Sequence, residues 1–129
     1  MKTILLVEDD PFILDVYYGQ FKREGYNVMI AKTVLDALDK IKNNNPDLIV
    51  LDLNLRGDDY GPADGLNILE EMRQDPKCKN IKIVVSSNYD ASTYPELSKL
   101  PELGVIKSFV KINLTPEELS NEVKEILKQ

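Results

Sequence analysis

The sequence predicts an α/β fold in which five parallel strands form a doubly wound sheet with helices on both faces. Three observations lead to this prediction. Short apolar runs alternate five times with segments in which apolar residues recur at helical spacing, and that alternation is typical of parallel strands joined by crossover helices. The runs are almost continuously apolar, as strands buried on both faces are. A length of 129 residues with 43% hydrophobic residues matches one domain with a sizeable core.

The five apolar runs give the strands, and the first helix follows the first of them. The strands are predicted over residues 3–8, 27–31, 48–52, 82–86 and 105–111. The first helix begins after Asp10, a suitable N-cap, with Pro11 in its first turn, and Gly25 ends it. The residues predicted to face the core are Ile13, Val16, Tyr17 and Phe21.

The second and third helices lie between polar or helix-breaking residues. Thr33 begins the second helix and the run Asn43-Asn44-Asn45-Pro46 ends it. The third helix covers about residues 65–74, and Asp75-Pro76 closes it. The predicted core-facing residues are Val34, Ala37, Leu38 and Ile41 in the second helix, and Ile68, Leu69 and Met72 in the third.

The two remaining helical segments differ in strength. Between strands four and five, leucines recur every three residues and Pro101 interrupts them, so this helix is predicted to be short, kinked or partly 3₁₀. The leucines are Leu97, Leu100 and Leu103. The last helix opens with Thr115-Pro116-Glu117-Glu118, a capping box with proline at the first helical position. Its apolar face is predicted to contain Leu119, Val123, Ile126 and Leu127.

Composition excludes several classes of function. The net charge of −6 and the pI near 4.7 argue against binding to nucleic acid, because no basic stripe is present to neutralise phosphates. The chain has no histidine, which excludes Ser-His-Asp and Cys-His nucleophiles and zinc sites that contain histidine. Oxygen ligands are left for any metal, and they favour hard cations such as Mg²⁺ or Mn²⁺.

The sequence also predicts a cytoplasmic protein. No apolar run reaches transmembrane length, and the short apolar start is followed at once by three acids, unlike a signal peptide. Cys78 is the only cysteine, so it has no intramolecular disulfide partner, and its polar neighbours predict a surface turn. Residues 1–129 are therefore expected to form one domain in a reducing compartment, with no effector domain attached.

Polar side chains follow the carboxyl ends of four strands, where open parallel sheets bind their ligands. They are Glu8-Asp9-Asp10 after the first strand, Asp52 at the third, Ser86-Ser87 at the fourth and Lys111 at the fifth. In the flavodoxin-like strand order 2-1-3-4-5, the first, third and fourth strands are neighbours, and a lysine on the fifth can reach across. These side chains are therefore predicted to share one pocket.

Such a pocket needs a cation. Two carboxylates about 4 Å apart repel by roughly 4 kcal/mol at an effective dielectric constant near 20. Lys111 supplies one positive charge, and a divalent metal supplies two more. Ser86 and Lys111 suit the anionic oxygens of a phosphoryl group rather than the metal. Taken singly, each residue has an ordinary structural explanation, such as a helix N-terminus or a turn, but their coincidence favours a shared site.

These motifs together resemble the receiver domain of bacterial two-component response regulators over essentially the whole chain. The resemblance rests on Val7-Glu8-Asp9-Asp10-Pro11, on the strand around Asp52, on Val84-Val85-Ser86-Ser87, and on Phe109-Val110-Lys111 followed by Thr115-Pro116-Glu117-Glu118-Leu119. It implies that Asp52 is the phosphoacceptor and that Ser86 and Lys111 hold phosphoryl oxygens. It also implies a Mg²⁺ or Mn²⁺ site in which Asp9, Asp52 and the Asn54 main-chain carbonyl are direct ligands and Glu8 acts through water.

The resemblance further implies the partners. The expected donor is a phosphohistidine on a histidine kinase or a histidine phosphotransfer protein. The expected output is contact with another protein through the face made by the weak helix, strand five and the last helix, in a monomer or weak homodimer. Asn54 and Asn88 are expected to influence hydrolysis of the acyl phosphate.

Some positions depart from the family pattern. The loop from Arg56 to the third helix is about five residues longer than usual, and its Asp58, Asp59 and Asp64 are predicted to be a solvated turn. Ile112 stands where the family has a cis proline, so a trans bond is expected. The aromatic residue that usually reports phosphorylation is replaced by Ser108, with Phe109 on the opposite face.

Two alternatives remain open. A receiver-like module that only docks or dimerises, without phosphoryl transfer, is favoured by these departures and opposed by the acids, serine and lysine at the strand ends. A flavodoxin-type FMN carrier would need a phosphate-binding loop rich in Ser, Thr and Gly after the first strand. Three acids stand there instead.

Overall fold

The computed structural model of the chain describes residues 1–56 and 61–128, which form a five-stranded, all-parallel sheet flanked by helices. The strands are β1 (Thr3–Val7), β2 (Asn27–Ala31), β3 (Leu48–Leu51), β4 (Lys82–Ser87) and β5 (Val105–Val110). The α-helices are α1 (Pro11–Arg23), α2 (Val34–Asn44), α3 (Ala63–Arg73) and α4 (Pro116–Leu127). The strand order is β2-β1-β3-β4-β5. The predicted doubly wound fold and its strand order are confirmed.

The sheet separates two apolar cores because successive side chains of each strand point to opposite faces. One core packs against α2 and α3 and includes Leu5, Ile49, Leu51, Ile68 and Leu69. The other packs against α1 and α4 and includes Leu6, Val50, Val84, Phe21 and Leu119. β3, at the centre of the sheet, is buried along its whole length. Its carboxyl end therefore lies at the middle of the sheet's edge.

Helix ends lie close to the positions that the capping residues predict. The Asp10 carboxylate accepts from the backbone N–H groups of Phe12 (2.9 Å) and Ile13 (3.3 Å) and caps α1. Thr33 caps α2. The capping box of α4 is complete, with Thr115 and Glu118 each accepting from the other's backbone N–H. These contacts are local in sequence, which is why the sequence alone predicts them.

The predicted face of the first helix is partly wrong. Leu14, Tyr17 and Phe21 are buried in α1, at i, i+3 and i+7, whereas Val16 is 37% exposed. Leu14, Tyr17 and Phe21 lie on the helix face that packs against the sheet. Val16 lies to one side of that face. The third helix begins at Ala63, two residues before its predicted start.

The segment between β4 and β5 contains two 3₁₀ turns, Pro95–Lys99 and Pro101–Leu103, in place of a regular helix. Pro101 has no N–H to donate, so it begins a new turn instead of continuing the first. Leu97 and Leu100 are buried in the core on the α2–α3 face. The predicted short and partly 3₁₀ form is confirmed.

Cys78 is buried, so the prediction of a surface cysteine is wrong. Asp75 caps a 3₁₀ turn over Pro76–Cys78, and this turn directs Cys78 into the core on the α2–α3 face. Burial, and then the charge of Asp75, raises the pKa of the Cys78 thiol.

Across residues 1–56 and 61–128, the structure contains no helix that is long and apolar enough to span a bilayer.

Candidate functional site

A cavity of about 730 Å³ opens at the carboxyl edge of the sheet. Its lining residues are Glu8, Asp9, Asp10, Pro11, Ile13, Asp52, Asn54, Asn88, Tyr89 and Lys111. The structure therefore brings together all of the acids and the lysine that the sequence analysis assigned to one pocket, together with Asn54. Ser86 does not line this cavity.

Glu8 and Asp52 were predicted to be the last residues of the first and third strands. In the structure β1 ends at Val7 and β3 at Leu51, so each acid lies one residue beyond its strand. The ladder hydrogen bonds nevertheless continue into both residues: Glu8 N–H donates to the Ala31 carbonyl (3.1 Å) and Asp52 N–H to the Val7 carbonyl (2.9 Å). The sheet thus fixes the backbone of each acid at the edge where its side chain lines the cavity. This is a rigid base for a binding site.

Three carboxylates converge at this edge. Glu8, Asp9 and Asp52 each offer one oxygen, and these oxygens all lie within 4.8 Å of one another. Glu8 is only 4% exposed and Asp52 only 8%. Glu8 Oε2 accepts from the backbone N–H groups of Asp9 and Asp10, both at 3.1 Å, so the turn into α1 holds the Glu8 carboxylate in place.

Lys111 reaches this cluster from the far strand. Its Nζ lies 2.5 Å from Glu8 Oε1 and 3.1 Å from Asp52 Oδ2. The residue begins a 3₁₀ turn, Lys111–Asn113, and the Asn88 side-chain oxygen accepts from the Ile112 N–H at 3.1 Å. The described part of the chain has no cis peptide bond, so the expected trans bond before Ile112 is confirmed.

Burial or neighbouring charges raise the pKa of four groups in this cavity. Burial raises the pKa of Glu8, and the charge of Asp52 raises it further, against the opposing effect of Lys111. Burial also raises the pKa of Asp52 and outweighs the Lys111 charge. The pKa of Asp9 is raised by burial and then by Glu8. For Lys111, burial lowers the pKa, but the two carboxylates outweigh this effect and leave it raised.

A hard divalent cation fits this donor set. Three carboxylates face one ammonium, which leaves an excess of negative charge that a divalent ion would neutralise. The chain has no histidine, and its single cysteine is buried in the core on the α2–α3 face. The donors at this edge are therefore oxygens, the ligands that Mg²⁺ and Mn²⁺ prefer.

The turn after β3 shapes one wall of the cavity. Asn54 N–H donates to Asp52 Oδ1 at 3.3 Å, and Arg56 N–H donates to the Asn54 side-chain oxygen at 2.9 Å. Asn54 Nδ2 in turn donates to the Tyr89 hydroxyl at 2.5 Å. Tyr89 was not identified from the sequence, because its position in the loop after β4 gives no local sign that it reaches Asn54.

Ser86 is buried on the α1 face of the sheet. Its Oγ lies 3.2 Å from the hydroxyl oxygen of Tyr17 in α1. The register of β3 and β4 pairs Leu51 with Val85, so the next residues along these strands, Asp52 and Ser86, are neighbours. Ser86 thus lies beside the acid cluster, with its hydroxyl engaged by α1.

Asp64 was predicted to lie in a solvated turn before the third helix, and this prediction is wrong. Asp64 is buried, and its Oδ2 lies 3.0 Å from Arg56 Nε. The ion pair joins the turn after β3 to the start of α3, and it offsets part of the cost of burying this carboxylate. Asp58 and Asp59, predicted to be solvated, lie outside the described residues.

Gly65 brings α3 close to the same turn. A Cβ at this position would lie 2.6 Å from the Leu53 Cα, closer than any side chain tolerates. The N–H of Gly65 also donates to the Leu53 carbonyl at 2.9 Å. The first turn of α3 therefore packs directly against the backbone that follows Asp52.

Comparison with known proteins gives consistent matches. Residues 4–124 match the family model described as "Response regulator receiver domain". Sporulation initiation phosphotransferase F of Bacillus subtilis (strain 168) is 30% identical over 128 residues, covering 98% of this chain and 95% of that protein. The family match runs from β1 into α4 and includes all the residues that line the cavity.

Solved structures show the same similarity. A CheY-like response regulator receiver domain protein from Methanospirillum hungatei JF-1 is 28% identical, with a TM-score of 0.84 and coverage of 99% of this chain and 94% of that chain. The Mn²⁺-bound form of response regulator Rcp1 is 28% identical, with a TM-score of 0.72 and coverage of 86% and 81%. The backbone similarity thus extends over most of each chain.

Proposed function

This chain belongs to the response regulator receiver domain family, and from that premise we propose that it accepts a phosphoryl group on Asp52 from a phosphohistidine donor. One observation carries the proposal: the carboxylates of Glu8, Asp9 and Asp52 converge, and Lys111 contacts two of them. This arrangement supports a nucleophilic role for Asp52, because two other carboxylates that could share a cation, and a fixed positive charge, lie beside it.

We propose that Mg²⁺, or Mn²⁺ in its place, is the cofactor. Asp9, Asp52 and the main-chain carbonyl of Asn54 would hold it directly, and Glu8 would act mostly through water. The Mn²⁺-bound form of response regulator Rcp1 supports the choice of a hard cation. When bound, the ion neutralises the acids and the negative oxygens of the incoming phosphoryl group.

The chain's own residues would carry out the transfer. An Asp52 oxygen forms a bond to phosphorus as the donor's P–N bond breaks, and the bonding electron pair returns to the imidazole nitrogen. Lys111, already paired with Asp52, would follow the negative charge onto a phosphoryl oxygen. Ser86 would donate to a second oxygen. Hydrolysis of the acyl phosphate would then restore the Asp52 carboxylate, at a rate influenced by Asn54 and Asn88.

The proposed setting is a cytoplasmic phosphorelay. Family members interact with histidine kinases or phosphotransfer proteins and with downstream targets. Here we propose that residues 1–129 act as a receiver domain, in a monomer or weak homodimer. The output surface would consist of the 3₁₀ segment at 95–103, β5 and α4. The acidic net charge of −6 supports protein partners over nucleic acid.

Incubation with Mg²⁺ and acetyl phosphate, followed by intact mass measurement, tests the proposal. The wild-type chain should gain the mass of one phosphoryl group, and Asp52→Asn should gain none. Asp10→Asn is the matched control, because Asp10 lines the same cavity but serves as the α1 cap, and asparagine caps helices equally well. An adduct that persists in Asp52→Asn, or no adduct on the wild-type chain, would contradict the proposal.

A docking or dimerisation module without phosphoryl transfer is the second candidate. It is favoured by the absence of a regular helix between β4 and β5 and by Ser108 in place of the usual aromatic residue. If this candidate is correct, the chain will stay unmodified by acetyl phosphate and will bind its partner or itself equally well after Asp52→Asn. Sedimentation velocity with both variants measures the self-association.

A further inference from the structure

The hydroxyl of Tyr17 is an unexpected polar group beside the proposed site. Tyr17 lies in the core-facing row of α1 and is 6% exposed, and Ser86 is 1% exposed. Their hydroxyl oxygens are 3.2 Å apart. Among the residues that the structure describes, Ser86 Oγ has no other hydrogen-bond partner. The contact is thus shielded from water and depends on one residue from each element.

The surroundings place this pair behind the acid cluster. The α1 helix begins at the cavity, which its residues Pro11 and Ile13 line, and Tyr17 lies farther along the helix, where it packs in the core with Val84 of β4. The β3–β4 register places Asp52 beside Ser86. Tyr17 therefore touches the residue next to the proposed phosphoacceptor without lining the cavity itself.

The chemistry of the two hydroxyls indicates the direction of the hydrogen bond. A phenolic hydroxyl is a stronger acid than an aliphatic alcohol, so Tyr17 is the better donor of the two. A serine hydroxyl has two acceptor positions and a single hydrogen. If Tyr17 donates to Ser86 Oγ, the Ser86 hydrogen stays available and becomes a stronger donor through polarisation.

We propose that Tyr17 is a positioning residue whose hydroxyl donates to Ser86 Oγ and thereby directs the Ser86 hydrogen toward a phosphoryl oxygen on Asp52. This role rests on the proposed function, because it requires phosphorylation of Asp52. Without the tyrosine hydroxyl, Ser86 has no described partner that fixes its rotation. Its hydrogen would then be free to turn toward backbone carbonyls and away from the phosphoryl group.

A double-mutant cycle tests this role. The variants are Tyr17→Phe, Ser86→Ala and the combination of the two, and acetyl phosphate with Mg²⁺ supplies the phosphoryl group. Tyr17→Phe should slow formation of the Asp52 adduct, followed by intact mass, by roughly 3- to 10-fold, the effect of one buried hydrogen bond. In the Ser86→Ala background, the same change should have little further effect, because the hydroxyl that it orients is absent.

The controls separate positioning from packing. Tyr18→Phe on the same helix, where the side chain is 38% exposed, should leave the rate unchanged, and thermal unfolding checks that each variant folds. A Tyr17→Phe rate equal to that of the wild type, or an equal loss with and without Ser86, would overturn the positioning role. If the wild-type chain itself forms no adduct, the proposed function fails, and the role of Tyr17 with it.

Discussion

At the scale of single residues, Lys111 is shared by two buried carboxylates, Glu8 and Asp52. Burial raises the pKa of both acids despite the ammonium beside them. Removing one partner of a buried ion pair is usually destabilising because a charge is left alone. Here the ammonium would keep one carboxylate after the other is removed. Removal of one of the two carboxylates therefore leaves an ion pair in the cavity and not a lone buried charge.

The first prediction concerns the repulsion between the buried carboxylates of Glu8 and Asp52. In metal-free buffer at pH 7, Asp52→Asn should stabilise the chain by about 1 kcal/mol, a few degrees in unfolding temperature. The folded-state pKa of Asp52 lies above its unfolded value, so the folded chain binds the proton more tightly. The stability that the Asp52 carboxyl group contributes is therefore present at low pH, where the group is protonated, and is lost as pH rises through its folded-state pKa.

Thermal unfolding with a chelator, measured from pH 7 downward, checks this prediction. The advantage of Asp52→Asn over the wild type should shrink as acidification protonates Asp52. Asp15→Asn, at an exposed position of α1, controls for the change in net charge and should show a smaller effect. If Asp52→Asn is less stable than the wild type at pH 7, Lys111 must depend on both carboxylates, and this account of the cavity is wrong.

At the scale of elements, the turn after β3 and the start of α3 act as one unit. Gly65 packs against the Leu53 backbone, and Arg56 pairs with Asp64. Asp52 immediately precedes this unit. The placement of the proposed phosphoacceptor is thus coupled to the beginning of α3 by a backbone contact that tolerates no side chain.

The second prediction is that Gly65→Ala destabilises the chain strongly. The added Cβ would lie 2.6 Å from the Leu53 Cα, and because a backbone atom has little freedom to move, overpacking of about 1–3 kcal/mol or more is expected. Gly19→Ala is the matched control: its Cβ would meet only the flexible Arg23 side chain, at 3.3 Å. Alanine in that helix should be neutral or stabilising.

Chemical unfolding of both variants measures the difference. The Gly65→Ala variant should also form the Asp52 adduct more slowly, because the turn that holds Asp52 has to shift. Equal stabilities for Gly65→Ala and Gly19→Ala would show that α3 moves away from Leu53 without loss, and that the unit is not rigid.

Individual elements also show which structural features can be predicted from the sequence and which cannot. The caps at Asp10 and Thr115 and the break at Pro101 are local effects, so they are predicted correctly. The burial of Cys78 and Asp64 depends on which segments lie over them, which local pattern does not reveal. Tyr17 was correctly assigned to the core, but no partner was predicted for its hydroxyl. A buried tyrosine hydroxyl needs a hydrogen-bond partner, and the sequence does not show which residue across the α1 face supplies it.

At the scale of the whole molecule, the fold gathers acids from distant parts of the sequence at one edge of the sheet. The predicted pocket was correct for Glu8, Asp9, Asp52 and Lys111 because parallel strands all end at the same edge. The net charge of −6 adds a negative field that attracts cations to the molecule, though salt screens it beyond about 8–10 Å. Cation binding and global stability should therefore be linked.

The last prediction uses this linkage. Mg²⁺ that binds only the folded chain should stabilise it by about 1.4 kcal/mol at ten times its dissociation constant. Thermal unfolding across a MgCl₂ titration measures the shift, with NaCl at matched ionic strength as the control. Asp9→Asn should reduce the shift, because it removes one of the three converging carboxylates, while Asp15→Asn should keep it. An equal rise with NaCl, or an undiminished rise in Asp9→Asn, would place the effect in general screening rather than in the acid cluster.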